Sequence, residues 1–581
     1  MSKRNNTEAA VAVQPASENK KILLALSGIL FSILLAALDQ TVVSPAMPRI
    51  VEELQGFSLF AWVTTAYLLT STATIPIAGK LGDMFGRKFL LIAAVVIFLL
   101  GSALSGAAPS MIWLVIFRGL QGIGAGALQA NAFAEIAELF PDSAKRARWQ
   151  GFIAAVFGLS SVIGPFLGGF ITDNLQWRWV FYVNVPVGVL AVLALFLYLP
   201  HSSNTGQRKI DWWGAAAITG AVVSLLLALT WGGQKEPNGY PWVSPQILGL
   251  LAGTLVLAGL FIFIETKAAE PIVPLHLFKL GAVRSVAGIS LGLGAALLGA
   301  TLYIPLFVQV VQGQSASGSG AITTPLAIAM VIANIFTGQF IGRVGILRFP
   351  LFSGAIFSVA GMGLLTTLNV NSPIWEVTLY MIVLGLGIGQ IMPTMTIVVQ
   401  ESVQRRDLGS GISTVQFFRS IGSTIGVAVI GTIVNNSYTA NVNSTPGINA
   451  LPPQLVAALQ EPQNLINKQV ASILPPNLIQ DIREALSNAI HNGFLLGTIV
   501  MVVMLAVVFT VPAIRVKSDL KRKNLESAAS TDVPGTAGSM PHRQIMEGAV
   551  DAGSLNLSAA DGGAADGGSP ASRNKTGSQR R

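Results

Sequence analysis

Apolar runs of about twenty residues recur from residue 22 to residue 511, separated by short segments rich in glycine, proline and basic residues. They occupy residues 22–43, 61–77, 89–107, 110–136, 151–171 and 179–199, then 212–231 and 245–264, then 286–308, 321–338, 350–368, 374–399, 411–434 and 493–511. Each is long enough to cross a hydrocarbon core of about 30 Å as a helix. The alternating pattern of about ten residues that marks a membrane barrel is missing, so helices are what can satisfy the backbone in lipid. The pattern predicts an all-α polytopic membrane protein.

The fourteen runs group as six, two and six. This predicts a polar tail (1–21), a six-helix bundle (22–199), a linker with two extra spanning helices (200–285), a second six-helix bundle (286–511) and a C-terminal tail (512–581). Loop basicity sets the orientation, because lysine and arginine resist translocation. One set of loops carries Lys80, Arg87, Lys88, Lys145, Arg146, Arg148, Arg208, Lys209, Arg343, Arg348, Arg405 and Arg406, among others, whereas the opposite set holds only Arg49, Arg178, Lys235, Lys468 and Arg483. Cytoplasmic termini and the inner (plasma) membrane are expected. The opposite side also receives the long segment 435–492, in which 453–466 and 474–490 read as short amphipathic helices around Pro475 and Pro476, folded back on the membrane surface. Residues 527–581 are rich in Gly, Ala, Ser and Asp, a composition that reads as disorder.

Composition sharpens this picture. The chain has 581 residues, 52% hydrophobic and 11% charged, with no cysteine, which removes disulfides and thiolate metal sites. The formal net charge of +9 is accounted for by the basic loops, so no nucleic-acid partner is expected. Residues 1–21 carry no cleavable-signal pattern. No phosphate loop of the Gly-x-x-x-x-Gly-Lys-Ser/Thr type and no His-Glu-x-x-His helix occurs, and the four histidines, His201, His276, His491 and His542, lie in loops or at a span edge. An enzyme, a metal centre or an ATP-driven pump is therefore not expected.

A charge inside a span is expensive and marks function by default. Asp39, Arg118 and Arg419 stand inside the first, fourth and thirteenth runs. A carboxylate in low-dielectric surroundings takes up protons more readily than one in water, and a neighbouring arginine biases that uptake. Structural bridging is the competing reading for each of the three. Arg118, Gly122, Ala125 and Gln129 share one helical face, expected to line a cavity together with Gln121. Gln390, Thr394, Gln416 and Arg419 are the matching polar candidates in the second half; Glu401, just past the end of its run, continues the strip of Gln390 and Thr394, with solvation at the cytoplasmic end as the alternative.

Two glycine patterns complete the reading. Gly79, Gly82, Asp83, Gly86, Arg87 and Lys88 form a tight basic turn between the second and third runs. The set Gly158, Gly164, Pro165, Gly168 and Gly169 in the fifth run combines close packing with a proline bend. The first resembles the loop signature of the major facilitator superfamily. The second, together with the segment from Leu38 to Pro48, the fourth-run segment from Arg118 to Gly126 and the segment from Trp177 to Pro186, is similar to motifs of its fourteen-helix drug:proton antiporter branch.

The resemblance covers roughly residues 21–515. It implies two pseudo-symmetric six-helix bundles with two extra helices between them and no cofactor beyond the proton as coupling ion. It assigns Asp39 and Arg118 to proton coupling and the Asp83–Arg87 turn to an inner gate. It implies export of drugs or other amphiphilic, cationic small molecules by a monomer in contact with the lipid bilayer. Asp39 is the one carboxylate deep in a run, which makes coupling to dications less assured than to monocations or neutral amphiphiles. The alternatives are an exporter of lipid or of a dedicated metabolite and, more remotely, a membrane sensor or scaffold acting through its tail.

Overall fold

A computed structural model describes residues 16–55, 59–200, 209–233, 239–314, 316–446, 448, 451–460 and 474–516. The compact unit 1–522 contains every described residue, and the expected disordered segment 527–581 lies outside them.

The first six helices are α1 (Ala16–Leu54), α2 (Phe60–Phe85), α3 (Arg87–Gly106), α4 (Met111–Leu139), α5 (Ser143–Asn174) and α6 (Trp179–Tyr198), the last interrupted at Val183. Two more follow, α7 (Trp212–Trp231) and α8 (Pro245–Glu265). The final six are α9 (Gly281–Leu306), α10 (Ala316–Val344), α11 (Arg348–Leu365), α12 (Ile374–Ser402), α13 (Leu408–Ser444) and α14 (Pro476–Val508). Thirteen described helices are apolar and long enough to cross a membrane. To these α2 adds a fourteenth long helix, less apolar because Thr64, Thr65, Thr70, Ser71, Thr72 and Thr74 interrupt it. Polar side chains start several helices. Asp142 accepts from the amides of Ala144 and Lys145 before α5, and Ser244 caps α8 ahead of Pro245.

Three helices outrun their apolar runs by ten residues or more at one end. Helix α1 continues through Pro45 and Pro48 to Leu54, since neighbouring helices and local adjustment re-satisfy carbonyls freed by proline within a membrane bundle. Helix α13 extends to Ser444, and the expected amphipathic helix 474–490 is the first part of α14. The predicted external loop 435–492 therefore shrinks to the segment between Ser444 and Pro476. Helical amphipathicity there reflects packing: Tyr438 Oη donates to the Leu459 carbonyl, and Ile482, Leu486 and Ala489 are buried in the second bundle's core. Within that segment lies the short helix Pro453–Leu459; the rest of the expected 453–466 helix is mostly outside the described residues.

The pairing of helices repeats with an offset of eight. In the first bundle α2 packs on α4, α3 on α4 and α6, and α1 on α4, α5 and α6; in the second α10 packs on α12, α11 on α12 and α14, and α9 on α12, α13 and α14. The contacts between bundles obey the same relation: α5 meets α10, α2 meets α13, and the pairs α4 with α13 and α5 with α12 exchange under it. The extra pair sits beside this seam. Helix α7 packs on α2 and α13, while α8 packs chiefly on α7 and buries only Ile247 and Glu265, as expected of a helix bathed in lipid.

Glycine sets how closely the bundles meet. A Cβ on Gly338 would stand 2.6 Å from the Ala147 carbonyl, and one on Gly151 2.5 Å from that of Asn334, so α5 and α10 run backbone against backbone. Gly338→Val should wedge this seam and cost about 1–3 kcal/mol, read as a fall in the melting temperature of the detergent-solubilised protein. Gly259→Val on α8, where a Cβ meets nothing within 4 Å, should leave it unchanged.

Candidate functional site

Asp39 lies where α1, α3, α4 and α6 converge. Its Oδ2 accepts from Arg118 Nη1 at 2.6 Å, and its Oδ1 accepts from Gln121 Nε2 at 2.8 Å and from Asn184 Nδ2 at 3.2 Å. Arg118 Nη1 also donates to Gln121 Oε1 at 2.7 Å, and the guanidinium lies 4.3 Å from the centroid of the Tyr67 ring. Asn184 and Ser102 extend the network to the Phe181 carbonyl. The two charged side chains are 0% and 2% exposed. A charge-assisted, multiply bonded pair is what permits a carboxylate and a guanidinium to share an apolar bundle core. The sequence placed both in a cavity; they sit inside the first bundle.

The helical face expected to line that cavity also splits. Gly122 is pressed onto α2 at Thr70 and Tyr67, Ala125 is fully buried, and Gln129 is buried. Asn184 escaped notice in the sequence, although a lone amide in the otherwise apolar start of α6 is the signal that marks it.

The second buried charge cluster stands at the end of the bundles that carries the basic loops. Arg87 donates to Asp83 Oδ1 at 2.8 Å and to the Ala134 carbonyl at 3.0 Å, and pairs with Glu138 at 2.7 Å. Asp83 reaches across the seam. Its Oδ1 accepts from the Gly409 amide at 2.8 Å, and its Oδ2 from the Ser410 amide at 2.9 Å, both at the N-terminus of α13, where the helix dipole favours an anion. Gly79 makes this possible, since a Cβ there would lie 2.5 Å from Ser413 of α13. Gly86 holds φ at 88°, the left-handed conformation that turns α2 into α3, and Gly82 leaves room for Asn131. Lys88 donates to the Phe196 and Leu199 carbonyls at the end of α6.

Further ties close the same end. Arg146 of α5 pairs with Glu401 of α12, so Glu401 is a partner across the seam rather than a solvated end. Gln400 Nε2 donates to the Phe133 carbonyl at 3.1 Å, Lys80 pairs with Glu270 of the α8–α9 connector at 2.7 Å, and His276 of that connector lies 3.2 Å from Asp407.

The fifth-helix motif divides its glycines between two neighbours. Gly158 faces Ala327 and Val331 of α10, whereas beyond it Gly164 and Gly168 press on Thr41 and Val42 of α1 and a Cβ on Gly169 would meet nothing. Pro165 lies within this second stretch. Helix α5 thus follows the opposite bundle over its basic half and its own bundle thereafter. In the second bundle, Gln390 accepts from Ser353 of α11 and the Thr394 hydroxyl bonds to the Gln390 carbonyl of its own helix. Gln416 is buried with Oε1 unpartnered, and Arg419 of α13 is half-buried 5.7 Å from the Phe157 ring centroid of α5.

The model of the Major Facilitator Superfamily matches residues 29–211 and 212–427. The chain belongs to the major facilitator superfamily. It is 39% identical over 506 residues to the multidrug transporter protein MdtP of Bacillus subtilis (strain 168), covering 84% of this chain and 92% of that one. It is 37% identical over 493 residues to multidrug resistance protein 3 of the same organism, covering 84% and 95%. Among solved structures, the proton:xylose symporter XylE matches with a TM-score of 0.56 at 14% identity, covering 87% of this chain and 99% of that one. Members of this superfamily are membrane transporters, not enzymes, and the chain is a multi-pass membrane protein of that fold.

Because the major facilitator seam is closed at its basic end by Asp83 on α13 and by Arg146 with Glu401, Glu401→Gln and Asp83→Asn should loosen that end. The chain lacks cysteine, so one introduced at buried Asn334 is a clean reporter. Labelling of Asn334→Cys by a membrane-impermeant thiol reagent applied from the basic side should rise about tenfold in either variant, a loss of about 1.4 kcal/mol from the closed state.

Proposed function

We propose that the protein is a proton-coupled exporter of amphiphilic drugs and similar small molecules, with its basic end in the cytoplasm. The named functions of its two Bacillus subtilis relatives support drug efflux. The observation that carries the coupling is the Asp39–Arg118 pair, the ionised couple deepest in the first bundle.

Protonating Asp39 converts two compensated charges into a neutral acid and an unpaired guanidinium. Gln121, Asn184 and Tyr67 must then reorganise around Arg118, because an uncompensated charge buried in protein costs several kcal/mol. That asymmetry gives the proton leverage on the packing of α1 against α4 and α5. Helix α5, in turn, carries the seam to α10 through Gly151 and Gly158. In this cycle Asp39 takes a proton from outside while the basic end is closed, the seam reopens at the cytoplasmic end, and the proton leaves inward as substrate binds. The fifth-helix glycines and Pro165 act as the pivot.

The test uses proteoliposomes with a lumen more acidic than the medium, following gradient dissipation on addition of amphiphilic dyes. Wild type should release protons in a substrate-dependent way, and Asp39→Asn should bind dye yet lose coupled release by at least about a hundredfold, the effect of about 2.7 kcal/mol on the coupled step. Efflux that persists in Asp39→Asn and after collapse of the gradient would remove proton coupling from the proposal.

A further inference from the structure

Of the three charges nearest the middle of spans, two cancel. Asp39 and Arg118 are sealed in the first bundle, so neither offers its charge to a guest between the bundles. Arg419 is different. Among the described residues it has no hydrogen-bond partner and no carboxylate partner; what it faces is the Phe157 ring on the opposite bundle.

Its position is central. Arg419 stands eleven residues beyond Leu408, the first residue of α13, which is about 16 Å along the helix at about 1.5 Å per residue and close to half of a core about 30 Å thick. Beside it Ser420 Oγ meets Thr72 Oγ1 of α2 at 2.5 Å, and one residue past Phe157 is Gly158, the last of the α5 motif glycines to touch α10. One turn back, buried Gln416 has an unpartnered Oε1. The close approaches between bundles thus run from the basic end up to this level, and Arg419 is on their upper edge. An unpaired guanidinium at that depth is tolerated where it meets water or an anion, and hydrocarbon supplies neither.

We propose that Arg419, seated against Phe157 on the seam between the two bundles, is a specificity-determining residue of the export site and selects amphiphiles that carry a carboxylate, sulfonate or phenolate on an aromatic body. The planar guanidinium offers paired donors that suit such groups, and its face and the Phe157 ring both accept a flat apolar surface. With Asp39 consumed by Arg118, the described seam presents a cation at mid-depth, which reverses the charge preference expected from the family resemblance. The inference rests on the export reading and specifies its substrate class.

The experiment compares full-length wild type, Arg419→Gln, Arg419→Lys and Gln416→Glu in proteoliposomes. Three aromatic probes are used: anilinonaphthalene sulfonate as anion, ethidium as cation and N-phenylnaphthylamine as neutral. Wild type should move the anion with a kcat/KM above that for the cation. Arg419→Gln should raise KM for the anion about tenfold, the worth of one charge-assisted contact, and by a smaller factor for the neutral probe, which loses only the guanidinium face; Arg419→Lys should recover part of the anion transport. Gln416→Glu, which sets a carboxylate one turn from Arg419, should lower the anion-to-cation ratio by raising KM for the anion and lowering it for the cation. Neutral transport with an anion-to-cation ratio unmoved by both Arg419→Gln and Gln416→Glu overturns the role of Arg419. Should Arg419→Gln abolish transport of all three probes, the Gln416→Glu ratio decides alone. Wild type that moves none of the three sinks the export reading itself.

Discussion

Hydrocarbon gives an ionised side chain no water, so each charge the chain carries into its spans must be paired, bonded to backbone or left facing a wet space. Much of the described architecture follows from how that requirement is met. Asp39 and Arg118 satisfy one another with help from two amides. Arg87 divides its donors among Asp83, Glu138 and a carbonyl, Lys88 closes on the end of α6, and Glu265 accepts from the Ile272 and Val273 amides of the connector that follows it. All but the last tie together elements distant in sequence, and so the pairing of charges largely doubles as the pairing of helices.

In the proposed cycle the same requirement makes the closed basic end reversible. Asp83 is held by two backbone amides and a hydroxyl of the other bundle, and Arg146 by Glu401. At the mouth of a transporter these groups are next to water, which accepts them when the bundles part, so opening exchanges protein partners for solvent at small net cost. The deep pair has no such alternative. A seam that opens at its edge and a charge pair that stays sealed at the bundle centre are therefore compatible, and helix α5, shared between α10 and α1 through opposite ends of one glycine series, links the two.

The fold was largely legible because hydropathy in lipid is a coarse and forgiving code: runs of apolar residues mark helices almost regardless of their neighbours. It failed where amphipathic sequence was packed rather than solvated, as in the first half of α14, whose apolar face is buried in the second bundle's core against α13. The site was legible in parts. Asp39, Arg118 and Gln121 come together because each is a polar residue with no apolar excuse, and the loop from Gly79 to Lys88 is dense enough to announce itself. Partners far apart in sequence, such as Asn184 for Asp39, Arg146 for Glu401 and Glu270 for Lys80, needed the helix pairing that only the structure supplies.

The charge of the cargo also fixes how transport is driven. Exchange of one proton inward for one monocation outward moves no net charge, so only the pH difference counts. Exchange of one proton for one monoanion carries two elementary charges in the inward sense, worth about 4.6 kcal/mol per 100 mV at about 2.3 kcal/mol per charge. If its cargo is the aromatic anion proposed above, an exporter with Arg419 at mid-depth and Asp39 paired with Arg118 is matched to the second case. In that case transport would draw on the membrane potential as well as the proton gradient, and the proposed proton site at Asp39–Arg118 would stand apart from the proposed substrate site at Arg419.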